Sequence, residues 1–127
     1  MSNAAIILFA HGAADPAWAE PFHALRQAML ASQTQQRVAI AYLERMAPTL
    51  PEMVAELVRE GVEEITVVPV FLGRGGHLRR DFPPLLEQAR REFPQVRIHE
   101  TAAVGELPAV ITAMAGAILA IVSDPVR

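Results

Sequence analysis

No cysteine occurs anywhere in the 127 residues. That absence excludes thiolate metal sites, iron–sulfur clusters, redox dithiols and disulfide staples, so any metal must be held by nitrogen or oxygen ligands. Positive charge is in short supply as well. Eleven Lys and Arg stand against fourteen Asp and Glu, a formal net charge of −3, so no global basic field exists to hold a polyphosphate backbone and no nucleic-acid partner is expected. Long apolar runs are missing too. The most apolar stretch, residues 109–122, carries no charge but falls short of the about 18 residues that a spanning helix requires. It reads as a buried or dimer-facing helix, with no membrane partner. The start MSNAAIILFAHG lacks the positive segment of a secretory signal, which suggests a cytoplasmic protein.

No linker or low-complexity segment interrupts the chain, and its length suits one domain, residues 1–127, burying roughly two thirds of its unfolded surface. Short β-rich runs alternate with longer helical ones. AAIILFA, residues 4–10, is the first strand, continuously apolar as expected when helices cover both faces. Asp15 and Pro16 are placed to cap and open a first helix running to about Ser32, with Pro21 distorting its first turns. RVAIAYL, residues 37–43, is the second strand; Thr49 and Glu52 then make a capping box for a helix that Gly61 ends. EITVVPVFL, residues 64–72, is the third strand, with Pro69 as an internal irregularity. Asp81 is positioned to cap a helix reaching about Phe93. Residues 96–100 form the fourth strand, and Glu106 opens the last helix.

The expectation is therefore an α/β fold: one three-layer domain with a four-stranded parallel sheet. Right-handed crossovers favour the strand order 2-1-3-4. That order makes the first and third strands neighbours at the point where winding reverses, the edge at which ligands bind in such sheets.

Two histidines stand just beyond those strands. His11 opens the loop HGAADP, where Gly12 allows a sharp turn, and His77 lies in PVFLGRGGHLRRDFP. Gly73, Gly75 and Gly76 clear side chains from the second loop, and Arg74, Arg79 and Arg80 give it local positive charge. The spacing is neither that of a P-loop nor of a dinucleotide fingerprint. Glu44, just past the second strand, lies on the same rim as a third ligand or proton acceptor. Taken alone, His11 is also compatible with capping a strand, the arginines of the second loop with solvation or pairing to Asp81 and Glu87, and Glu44 with an ordinary exposed glutamate after a strand. His23, mid-helix, and His99, within a strand, read as packing or surface residues, and Trp18 with Phe22 as contacts of the first helix.

The strand-then-HG start ILFAHG, the segment AYLERMAPTLPEMVAELVREGVEEITVVPVFL and the loop GRGGHLRRDFP together resemble the short form of the sirohydrochlorin chelatase family. These are the cobalt or iron chelatases of cobalamin and sirohaem synthesis. The loop is similar to that family's G-x-H-x-x-x-D-[IF]-P signature. The resemblance implies that His11 and His77 bind the metal and act in its insertion, and that Glu44 belongs to the same site. It implies a divalent metal as substrate, with no permanently bound cofactor. Because the family's longer members hold two such halves in one chain, it also implies a homodimer with paired sites. One departure is that Ala13 stands where the family has serine.

The residue types suit this chemistry. Neutral imidazoles bind cobalt(II), nickel(II) or iron(II), and their ordinary pKa of about 6.5 also lets them accept pyrrole protons. Two His and a Glu leave coordination positions open, so an ion is released rather than locked in. Arg74, Arg79 and Arg80 are candidates for the carboxylate rim of the macrocycle, Gly75 and Gly76 for close approach, and Leu43, Met46 and Leu72 for apolar contact with the ring. Two other readings share the residues. A metal or tetrapyrrole carrier needs the same ligands without turnover, and a phosphoryl-transfer enzyme with a phosphorylated histidine shares the His-Gly pair. The arginine that precedes that pair in such enzymes is Ala10 here.

Overall fold

The computed structural model describes residues 3–32, 35–73 and 75–123, with the side chain of His77 outside that description. The run AAIILFA forms β1 (Ala4–Ala10), whose later residues are buried. β2 (Arg37–Tyr42) and β3 (Glu64–Pro69) pair with it in parallel, and β4 (Arg97–Glu100) pairs in parallel with β3. Among the described residues this is one four-stranded sheet in the order β2-β1-β3-β4. The strand order expected from crossover handedness is the one observed.

Asp15 does cap the first helical segment, accepting a bond from the Ala17 N–H at 2.9 Å. The turn that follows, Pro16–Ala19, is a 3-10 turn, and α1 (Glu20–Ala31) begins only after it. Pro21 causes the break, since it lacks the N–H that would bond the Ala17 carbonyl and continue an α-turn. The capping box of α2 (Leu50–Arg59) is complete: the Thr49 N–H donates to Glu52 Oε1 at 2.8 Å and the Glu52 N–H to Thr49 Oγ1 at 3.4 Å. Gly61, at φ 90°, follows the helix as expected.

Several further boundaries differ from the sequence expectation. β2 stops at Tyr42 and β3 at Pro69, one and three residues early; proline has no N–H for the ladder. Past Pro69 the chain remains tied to its neighbours, with the Val70 N–H donating to the Phe9 carbonyl and the Gly105 N–H to the Phe71 carbonyl, both at 2.8 Å. The larger correction concerns α3 (Gly76–Glu92), which is capped at Gly75 rather than at Asp81 and carries Pro83 and Pro84 inside it. Leu78, Phe82, Leu86 and Ala89 explain this. They recur at helical spacing and are all buried, so burying one continuous stripe outweighs the two bonds the exposed prolines remove. His77 is thereby the second residue of a helix, not part of a loop.

α2 and α3 cover one face of the sheet, where Ile7, Phe9, Leu50, Leu57, Ile65 and Phe82 form the main core. The other face carries α1, over Leu8, Val38, Ile40 and Tyr42. Trp18 and Phe22 pack there with ring centroids 4.8 Å apart. Glu106 closes a 3-10 turn, Val104–Glu106, by accepting from the Ala103 N–H at 3.1 Å, and α4 (Pro108–Ser123) opens at Pro108 instead. No residue of α4 is buried, so of the two expectations for this stretch, a buried or a dimer-facing helix, the chain does not bury it in its own core. No helix among the described residues is long and apolar enough to cross a membrane.

Candidate metal centre

His11 is the first residue past β1, at the C-terminal edge of the sheet. Two backbone bonds continue the pairing beyond the strands: the Leu43 N–H donates to the Ala10 carbonyl at 2.9 Å and the Glu44 N–H to the His11 carbonyl at 3.1 Å. They bring Glu44 alongside His11, and His11 Nε2 lies 3.8 Å from Glu44 Oε2, both side chains being a little over two-fifths exposed. Gly12 makes the approach possible. At φ 96° it adopts a left-handed conformation, and a Cβ there would overlap the Glu44 carbonyl.

The other ring nitrogen is held by the backbone. His11 Nδ1 is 3.1 Å from the Gly12 carbonyl oxygen; a carbonyl only accepts, so Nδ1 carries a proton in that bond and Nε2 is the ring nitrogen that faces Glu44. An imidazole nitrogen and a carboxylate directed at one space offer two ligands to a divalent cation. Metal–ligand distances of about 2.0–2.2 Å put two ligands of a tetrahedral ion about 3.4 Å apart. The observed 3.8 Å therefore needs only a small side-chain adjustment.

Phe71, just beyond β3, stands edge-on to the His11 ring with centroids 6.5 Å apart. It also meets Phe9 at 6.3 Å, and Phe9 stacks on Phe82 of α3 at 4.9 Å. This aromatic chain ties β1, the end of β3 and α3 together beneath one edge. Sequence reasoning passed over Phe71; the signal was an aromatic residue two positions past the proline that ends β3.

The remaining expected residues divide. His77 sits in the first turn of α3, but its side chain lies outside the described residues, as does Arg74, so the expected meeting of the two imidazoles does too. Gly75 caps the helix, and both Gly75 and Gly76 have open space where a Cβ would sit. Arg79 and Arg80 are exposed on α3, and Leu72 is 74% exposed at the rim. Leu43 packs against the α2–α3 core. Met46 packs toward α1 and, with His23, Arg26 and Tyr42, lines a cavity of about 370 Å³ beside β2. His99 lies away from the edge, on β4, with its Nε2 2.9 Å from Glu64 Oε2. That hydrogen bond, with Arg97 nearby, holds the Glu64 carboxyl below its ordinary value. No three His, Asp or Glu gather as a ligand set among the described residues.

A family model described as CbiX matches residues 5–119. The chain belongs to the CbiX family. Among CbiX-related structures, a CbiX protein of cobalamin (vitamin B12) biosynthesis from Marinobacter aquaeolei VT8 is 34% identical, with a TM-score of 0.84 over 94% of this chain and 98% of that one. The sirohydrochlorin chelatase SirB from Bacillus subtilis subspecies spizizenii, solved in complex with cobalt, is 25% identical, with a TM-score of 0.75 over 95% of this chain and 51% of that one. A sirohydrochlorin cobaltochelatase from Methanococcus aeolicus is 32% identical over 82 residues, 65% of this chain and 57% of that one. This CbiX-family chain thus spans little more than half the length of the curated relative, and its parallel sheet with flanking helices is a chelatase fold.

Proposed function

We propose that this chain inserts a divalent metal ion, cobalt or else nickel or iron, into a sirohydrochlorin-like tetrapyrrole. The observation that carries the reading is His11 Nε2 placed 3.8 Å from Glu44 Oε2 at the ligand-binding edge of the sheet. The names of the relatives supply the substrate class. The metal is a substrate, and no permanently bound cofactor enters the scheme.

Insertion exchanges one M²⁺ for two pyrrole N–H protons. His11 and His77 bind the incoming ion and accept those protons, while Glu44 offsets the ion's charge and helps strip its water. A neutral imidazole serves both steps because its lone pair takes either a metal or a proton. Arg74, Arg79 and Arg80 pair with peripheral carboxylates of the macrocycle. Gly75 and Gly76 let the backbone approach it, and Leu43, Met46 and Leu72 contact the ring. Residues 1–127 act as one unit, in the cytoplasm, where a fold without cysteine needs no oxidising environment. That unit works as a homodimer with paired sites, a reading supported by the apolar surface that α4 leaves exposed.

The deciding assay mixes the protein anaerobically with sirohydrochlorin and cobalt(II), nickel(II) or iron(II) and follows the visible spectrum. Insertion beyond one equivalent per site is expected. A stoichiometric complex without turnover would replace the enzyme by a carrier.

A further inference from the structure

We propose that the cavity along the outer edge of β2 binds a small organic carboxylate, held by Arg26 and by the Tyr42 hydroxyl. The site is separate from metal insertion. Of the residues assigned to insertion only Met46 lines this cavity, and Val38, where Arg26 is anchored, precedes Glu44 by about 20 Å of extended chain. At about 370 Å³, the cavity has the size of a small-ligand site, about 300–1,000 Å³.

Charge selects the ligand. In a chain of net charge −3, the described lining holds Arg26, Arg37 and His23 and no carboxylate. Arg37 is already satisfied, its Nε lying 3.2 Å from Glu60 Oε1. Arg26 is not. Its Nε donates to the Val38 carbonyl at 2.6 Å, which fixes the guanidinium, and no carboxylate pairs with it among the described residues. The terminal N–H groups are thus left for an anion, the partner that a guanidinium fork fits best. His23 stands one turn before Arg26 on the same side of α1 and lines the same cavity.

Tyr42 supplies the second contact. It is only 3% exposed, yet its hydroxyl meets no protein partner among the described residues and is not sealed in, so it is left to face the cavity that Tyr42 lines. Burial pushes the phenol up, which keeps the hydroxyl a donor at neutral pH. The backbone favours a small molecule over an added peptide strand. The Leu43 N–H points inward to the Ala10 carbonyl and the Tyr42 N–H outward to the Pro48 carbonyl, so Val38, Ile40 and Tyr42 turn their backbone groups to the open edge. Arg26 and Arg37 cover the Val38 carbonyl and Pro48 covers the Tyr42 N–H, which interrupts that row on either side of Ile40. An incoming strand needs the row unbroken; a small ligand does not.

The test is calorimetric titration of the intact chain with benzoate, hexanoate and indole-3-acetate, and with the amide of each, on the wild type, Arg26→Met and Tyr42→Phe, all checked for fold by circular dichroism. At least one carboxylate is expected to bind one-to-one and at least about tenfold tighter than its amide. Arg26→Met should weaken that binding at least about tenfold, and Tyr42→Phe about threefold or more. Tyr42→Phe keeps the ring in place and carries the test should Arg26→Met unfold. No binding by any of the three acids, or equal binding to wild type and both variants, overturns the proposal. Sirohydrochlorin separates a free carboxylate from one on the macrocycle. Its affinity, read from its visible absorption, should be the same in wild type and variants; a loss there assigns Arg26 and Tyr42 to the macrocycle and overturns the separate site.

Discussion

Gly12 lies so close beneath the Glu44 carbonyl that any Cβ at that position would overlap it. The contact fastens the ends of β1 and β2 together and sets the distance between the His11 and Glu44 side chains. Its φ of 96° adds a second reason for glycine. Gly12→Ala should therefore cost about 1–3 kcal/mol of stability from backbone strain alone, seen as a lowered urea midpoint. Cobalt binding followed by calorimetry should weaken at the same time, because the Glu44 backbone must move.

His11 is partly exposed and no part of either core, so its removal should leave the fold untouched. His11→Ala is expected to lower the insertion rate by about 10²–10⁴, the range for losing a positioned proton acceptor, with an unchanged circular dichroism spectrum. His77→Ala should behave alike. Glu44→Gln keeps the shape and removes the charge, so a smaller loss is expected, concentrated in metal affinity. Initial rates against metal concentration separate the two effects, and a wild-type rate in His11→Ala would refute its assigned role.

Phe82 is fully buried and stacks on Phe9, whose other neighbour is the Phe71 ring beside His11. Phe82→Ala should destabilise by about 3–5 kcal/mol, as large-to-small core substitutions do. Because the ring also anchors α3 near its first turn, Phe82→Leu should recover much of the stability while insertion stays slow. Thermal denaturation and rate measurements on the two variants distinguish packing from positioning.

The Glu64 carboxyl, hydrogen-bonded to His99 and close to Arg97, titrates below its ordinary 4.5. A depressed folded-state value stabilises the fold above the unfolded pKa, and that contribution is lost as pH falls through the folded one. Melting temperature should thus decline as acid passes below about pH 4.5, and His99→Gln should flatten that part of the profile. Insertion at neutral pH should not change, since the pair lies away from the His11 edge. An identical acid limb in His99→Gln would remove His99 as the cause.

Strand order was legible beforehand because apolar runs of the right length, separated by helical segments, leave right-handed crossovers few options. Capping at Asp15 and Thr49 was legible for a similarly local reason: side chain and backbone partner are two or three residues apart. The start of α3 was not. DFPP has the local form of a helix opening, whereas the actual start depends on Leu78 and Phe82 reaching a core built by other elements. Phe71 escaped notice for the same reason, since nothing nearby in the chain says it will meet His11.

The residues by themselves settled the α/β class, the parallel sheet and the family, because periodicity, caps and a motif are properties of neighbouring positions. Only tertiary structure decided that Glu44 comes within 3.8 Å of His11, that two prolines sit inside a helix and that α4 stays uncovered. Each of these depends on distant segments competing for the same space or the same apolar surface, and no local pattern encodes the outcome of that competition.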